Sequence, residues 1–221
     1  MPIQIAFIHT SAAMIPVFKP LASELLPGES IFNMVDESLL CDIIREKSCP
    51  PGTARRLVGH VVSAEQAGAR FILVTCSSMG RAVETSRAIV TATVLRVDEP
   101  MAQKAVDTGN RIGVVATLPS TLQPTAELIK SRAAAAGKKI ELTAKVVDGA
   151  FDALMSGDGA KHDALVGSAL RELSQKSDVI VLAQASMARV VETLAPQDKP
   201  VPILSSPRLA VEHLAKLLHL V

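Results

Sequence analysis

The segment Val74-Thr75-Cys76-Ser77-Ser78-Met79-Gly80 sets a thiol, two serine hydroxyls and a glycine at the junction between a short apolar run and a helix-period stretch. The start of a helix offers unpaired N–H groups and a partial positive charge, which stabilise a thiolate and also bind carboxylates. Cys76 is therefore the candidate acid/base or nucleophile. The competing reading, a buried cysteine acting as a small apolar side chain, suits an isolated position better than a strand-to-helix turn. Cys41 and Cys49 flank Asp42 to Ser48 and precede Pro50-Pro51-Gly52, a stretch that reads as loop, and both are expected to be structural. Cys76 should be the most reactive of the three thiols.

Rival chemistries lack their residues. There is no Cys-x-x-Cys or Cys/His spacing, and the five histidines form no His-x-x-x-His or His-x-His pair, so no metal is expected. No Walker P-loop or complete dinucleotide glycine fingerprint occurs; Gly157-Asp158-Gly159 lacks the third glycine and a preceding strand. A Gly-x-Ser-x-Gly elbow is missing too. What remains is a thiol-centred reaction with no organic cofactor.

His9, at the carboxyl end of the first strand, has two readings: a second acid or base, or a hydrogen-bonded structural imidazole. Carboxylate binding is assigned to hydroxyls and N–H groups at strand ends, namely Thr10, Ser11, Ser77, Ser78, Thr117 and Ser186. Ordinary helix N-capping competes at each of them.

These positions need elements to hold them. Apolar, β-branched runs at Ile3–His9, Ile31–Val35, Phe71–Thr75, Val94–Val97, Ile112–Ala116, Ile140–Val146, Val179–Leu182 and Pro202–Leu204 alternate with helix-period segments such as Thr121–Ala136 and His162–Lys176. Strand and helix in repetition predict an α/β fold of parallel sheets covered by helices. The chain also repeats itself. FILVTCSSMGRAVET (Phe71 to Thr85) over VIVLAQASMARVVET (Val179 to Thr193), an offset of 108, gives seven identities in fifteen positions. Ile5–Thr10 matches Ile112–Thr117 at 107, and Val94–Pro100 matches Val201–Pro207 at 107.

A duplicated lobe follows, expected as residues 1–98 plus 205–221 and residues 99–204, each with a parallel four-stranded sheet. Pseudo-twofold lobes would turn the carboxyl ends of their strands toward an inter-lobe cleft, where ligands of open parallel sheets bind. Thr10 and Thr117 correspond under the repeat, as do Cys76 and Gln184. Arg81 and Glu84 recur as Arg189 and Glu192 and are expected in ion pairs outside the site.

With 221 residues and a net charge of +1, the chain can bury a core and carries no basic run for a polyanion. Five Phe without Trp or Tyr leave little on which bases could stack, so nucleic acid is not an expected partner. Neither a signal-like amino terminus nor an apolar run of about 18 residues is present, which points away from membranes and toward the cytoplasm.

Taken in order, Val74 to Gly80, Val181 to Ala188, Ile112 to Thr117 and Pro202 to Val211 resemble motifs of the aspartate/glutamate/hydantoin racemase superfamily. The likeness covers nearly the whole chain. It implies a cofactor-independent isomerase or lyase acting on a small carboxylate or amino-acid derivative, and a homodimer. In such enzymes a cysteine from each lobe flanks the α-carbon. This sequence departs from the pattern at Gln184, which stands where the second cysteine belongs, and an amide has no accessible pKa for proton transfer. One thiol at Cys76 with Gln184 orienting a carboxylate, and His9 as a further acid or base, are the roles this implies. The alternative is a small-ligand binding or regulatory protein that lost one catalytic group.

Overall fold

The computed structural model describes residues 3–219. The sequence readings at residues 1–2 and 220–221 lie outside them. The strands are β1 (Gln4–His9), β2 (Ser30–Val35), β3 (Phe71–Val74), β4 (Thr93–Arg96), β5 (Arg111–Ala116), β6 (Glu141–Val146), β7 (Val179–Leu182) and β8 (Ile203–Leu204). The helices are α1 (Ile15–Leu25), α2 (Glu37–Glu46), α3 (Pro51–Gln66), α4 (Gly80–Ser86), α5 (Glu99–Thr108), α6 (Pro119–Ala135), α7 (Ala150–Met155), α8 (Gly159–Ser174), α9 (Ala188–Thr193) and α10 (Ser206–His219).

Two four-stranded sheets form, ordered β2-β1-β3-β4 and β6-β5-β7-β8, with every pairing parallel. The α/β fold of two parallel four-stranded sheets flanked by helices is thus observed. Its contacts divide the chain into two compact units, Met1–Glu99 with Pro207–Val221, and Pro100–Ser206.

In the first unit alternation along the strands sorts side chains to two faces. Ala6, Ile8, Ile72, Val74 and Val94 pack against Leu39 and Ile43 of α2, Leu57 and Val61 of α3, and Ala82 and Val83 of α4. Ile5, Phe7, Phe71, Leu73 and Leu95 pack instead against Phe18 of α1 and Ala210, Val211 and Leu214 of α10. The second unit repeats the plan. Val115, Ile180 and Leu182 meet Val166, Leu170 and Leu173 of α8 and Val190 of α9, while α6 lies against β5 and β6. Central strands β3 and β7 are buried along their whole length, whereas edge strands β2 and β6 are partly exposed.

Two sequence expectations are corrected here. Pro50-Pro51-Gly52 does not continue a loop: Pro50 is extended (φ −67°, ψ 156°) and Pro51 opens α3, where its missing N–H costs nothing. Cys41 accordingly sits within α2, not beside a long loop. The third repeat segment also shifts. Leu73 pairs with Leu95, and Val181, its counterpart at offset 108, pairs with Leu204. Leu95 therefore corresponds to Leu204, two residues from the sequence match. A two-residue slip leaves every side chain on its own face, so the apolar pattern does not reveal it.

Asp178, ahead of β7, ties that strand to the start of β5. Its Oδ2 accepts the N–H groups of Asn110 and Arg111 at 3.0 and 2.9 Å, and its Oδ1 accepts Nε and a terminal nitrogen of Arg111 at 3.0 and 2.6 Å. Gly109 makes room for it, since a Cβ there would lie 2.5 Å from the Asp178 Cβ. The backbone N–H and guanidinium of Arg111, followed by the Asn110 N–H, hold the Asp178 carboxyl down at about 2. A depressed carboxyl stabilises the fold above its unfolded value and loses that contribution as the pH falls through the folded one. Asp178→Asn is expected to destabilise the protein at neutral pH. In chemical melts against pH, the gap between parent and variant should narrow from pH 3.8 down toward about 2. A gap that stays constant over that window would count against the bond network as its source.

Candidate functional site

Parallel pairing ends β1 and β3 side by side, as Ile8 pairs with Val74. The residues that follow, His9-Thr10 and Thr75-Cys76, therefore meet. Cys76 (φ −122°, ψ 116°) caps a 3-10 turn, Ser77–Met79, that leads into α4. Its half-buried Sγ accepts from the Thr10 hydroxyl, the Ser78 N–H and hydroxyl, and the Met79 N–H. Burial pushes the thiol above the ordinary 9.0 and outweighs these donors, so Cys76 rests as a neutral thiol at neutral pH. The donors remain aimed at the sulfur, ready to hold a thiolate once its proton leaves.

The second unit builds the same turn around an amide. Gln184 (φ −134°, ψ 135°) caps the 3-10 turn Ala185–Met187. Its Oε1 accepts the Thr117 N–H at 2.6 Å and the Thr117 hydroxyl at 3.0 Å. Thr10 with Cys76 and Thr117 with Gln184 are equivalent contacts, one per unit. Because both bonds to Gln184 arrive at its oxygen, the amide is oriented, and its two N–H donors have no partner among the described residues.

His9 is fully buried. Its Nδ1 lies 2.8 Å from the Thr75 hydroxyl and its Nε2 2.9 Å from Asn33 Oδ1, and its ring packs on Phe7 and Phe18 at centroid distances of 6.2 and 5.8 Å. Burial lowers its pKa against the pull of Asn33. Both ring nitrogens are engaged, which is the arrangement of an imidazole that braces β1, β2 and β3. Ser11 caps its own turn, accepting the Ala13 N–H at 3.3 Å. Thr10 and Thr117 are buried at their strand ends, Ser77 and Ser78 are buried in the turn after Cys76, and Ser186 is half-buried in the turn after Gln184.

Several participants escaped the sequence reading. Arg96, at the end of β4, is 5% exposed and grips fully buried Asp98 through two hydrogen bonds of 3.0 and 2.9 Å. It also pairs with Glu84 of α4. Removing one partner of such a buried pair costs about 3–5 kcal/mol. Arg-x-Asp in an otherwise apolar strand was the available signal. Glu84 and Arg189, recurrent in the sequence, thus serve different pairs, since Arg189 bonds Asp163 of α8. Cys49 is also closer to the turn than expected, its Sγ 3.8 Å from Met79 Sδ. A cavity of about 230 Å³ at the ends of β1 and β2 is lined by Ile8, Met34, Val35, Asp36 and His60, none of them predicted. Among the described residues no group of three His, Cys, Asp or Glu side chains is placed to hold a metal ion, and no helix is long and apolar enough to cross a membrane.

Residues 5–214 match the sequence profile of the Asp/Glu/Hydantoin racemase family. Among solved structures, an aspartate racemase of Picrophilus torridus superposes with a TM-score of 0.76 at 10% identity, covering 98% of this chain and 94% of that one. A glutamate racemase of Bacillus anthracis gives 0.72 at 18% identity, over 98% and 82%. An allantoin racemase of Klebsiella pneumoniae gives 0.69 at 19% identity, over 99% and 88%. No curated protein matches the sequence.

The exposure of the thiols reorders the reactivity expected from the sequence. Cys41 is exposed, whereas Cys76 is half-buried with a raised pKa. At neutral pH iodoacetamide should modify Cys41 ahead of Cys76 in the ligand-free protein. The Cys76 rate should still be climbing at pH 9.0. Peptide mass spectrometry across a pH series reads both, and a Cys76 rate that levels off below that pH would contradict the burial effect.

Proposed function

The chain belongs to the Asp/Glu/hydantoin racemase family, and from that premise we propose that it is a cofactor-independent enzyme of α-carbon chemistry on a small carboxylate or amino-acid derivative. Cys76 is its acid, and Gln184 holds a substrate carboxylate or carbonyl. The observation that carries this reading is the pair of equivalent contacts, Thr10 to the Cys76 sulfur and Thr117 to the Gln184 oxygen. Each positions one group at a strand end, and only one of the two groups has a proton to give.

The chemistry follows from those two groups. A neutral Cys76 thiol gives its proton to a carbanion or enolate-like carbon, leaving the thiolate to the N–H groups of Ser78 and Met79 and the hydroxyls of Thr10 and Ser78. Solvent then restores the proton. Gln184 supplies two N–H donors to a carboxylate oxygen, whose developing negative charge they stabilise. The proton arrives on one face of the carbon. Decarboxylation, in which the bond electrons stay on the α-carbon as carbon dioxide leaves, and thiolate addition to an activated double bond both need one thiol. Two-way racemisation needs a second proton carrier. His9 is poorly suited to that task, with both nitrogens engaged and its pKa lowered. A cytoplasmic homodimer completes the proposal, and light scattering measures the second half of it.

Proton exchange in deuterated water over α-amino acids, hydantoins, malonates and maleate tests the reading by NMR. Exchange or turnover that Cys76→Ala abolishes is expected, with slow interconversion of enantiomers. Gln184→Cys should raise racemisation by about 10² or more, the usual scale of a general acid or base. Rapid two-way racemisation by the parent protein overturns the one-thiol mechanism. Tight binding of panel members without exchange or turnover would favour the ligand-binding alternative, which the amide at position 184 keeps open.

A further inference from the structure

Gly80 opens α4 with φ −50° and ψ −49°, a conformation that any residue adopts, so its backbone gives no reason for glycine. Glycine is also a poorer helix former than alanine. The reason lies in space. A Cβ at position 80 would stand 2.3 Å from the Arg96 Cζ and 2.4 and 2.6 Å from its two terminal nitrogens. The guanidinium fills the volume that a side chain at this position would take, and it is locked there by Asp98 on one side and Glu84 on the other.

The second unit supplies a comparison within one molecule. The residue equivalent to Gly80 is Ala188, which has nearly the same conformation at φ −57° and ψ −39°. The strand register makes Ser205 the counterpart of Arg96, because Leu95 corresponds to Leu204. The glycine and the buried arginine occur together in the unit that carries the thiol. Both are missing from the unit that carries the amide.

We propose that Arg96 is a positioning residue for Cys76: packed flat against Gly80, it fixes the turn whose Ser78 and Met79 N–H groups reach the sulfur. Arg96 touches no reacting atom. It acts through the backbone of residues 77–80, and Gly80 is the contact through which it does so. The role concerns the thiol's setting and rests on the Cys76 reading only for its catalytic meaning.

The test is the pH profile of Cys76 alkylation in the full-length protein, with Cys41 and Cys49 as internal references and a melting curve for each variant. Gly80→Ala forces the guanidinium or the turn to move, and it should shift the Cys76 profile upward by about one pH unit, or roughly tenfold slower labelling at a given pH. Arg96→Lys keeps the charge but loses the flat fork and should shift it in the same direction. The double variant Gly80→Ala/Arg96→Lys has room for the added methyl group. It should label no more slowly than Arg96→Lys alone, a rescue that a general loss of stability would not produce. If Arg96→Lys lowers the melting temperature and leaves the Cys76 profile unmoved, Arg96 is structural only and the proposal fails. An unmoved profile in Gly80→Ala overturns it equally. Labelling does not depend on turnover, so shifted profiles in a protein that turns over no substrate would refute the catalytic reading and leave the positioning role standing.

Discussion

Parallel pairing of β1 with β3, and of β5 with β7, is the constraint from which the candidate site follows. Strands that run the same way end at the same edge, so residues far apart in the chain arrive there together. Thr10 reaches Cys76 and Thr117 reaches Gln184 because Ile8 pairs with Val74 and Val115 with Leu182. Antiparallel partners would send one member of each pair to the opposite edge. Burial of both faces under helices keeps this register in place, since a one-residue slip would turn Ile72 and Val74 away from α2 and α3 toward the wrong helices.

The duplicated scaffold then separates geometry from chemistry. In each unit a threonine donates to an acceptor held at the cap of a 3-10 turn, and the backbone angles at Cys76 and Gln184 differ by less than the scatter of ordinary extended residues. What differs is what the acceptor can do next. Sulfur has a proton to surrender and neighbours that favour its anion. The amide has two donors and no proton to lose at neutral pH. Behind the turn that carries the thiol stands an ion pair, Arg96 with Asp98, whereas the other unit has Ser205 at the position equivalent to Arg96.

The legible part of this in the sequence was whatever repeats or alternates. The eight strands, the parallel α/β class and the correspondence of Cys76 with Gln184 rest on patterns of local character, and local patterns survive in a one-dimensional string. Relations between distant side chains do not. Nothing near His9 indicates that Asn33 and Thr75 occupy both its nitrogens, and nothing near Gly80 indicates a guanidinium from β4. Alignment shifts by an even number of residues are also silent, which is why the repeat sets β8 against β4 two residues from its true counterpart. The start of α3 was missed for a related reason: Pro50-Pro51 reads as a loop signal, whereas a proline pair equally begins a helix.

The discontinuity of the first unit bears on how the chain acquires its shape. Residues 100–206 form a continuous stretch whose sheet and helices are all made before α10 begins. The first unit cannot be finished at that point, because Ala210, Val211 and Leu214 close the face formed by Ile5, Phe7 and Leu73. During synthesis that face stays open, across contacts some two hundred positions long in the chain, until residues 206–219 emerge. Such contacts close slowly and leave apolar strand surface exposed meanwhile, so the half of the molecule that carries the thiol is the half that matures last.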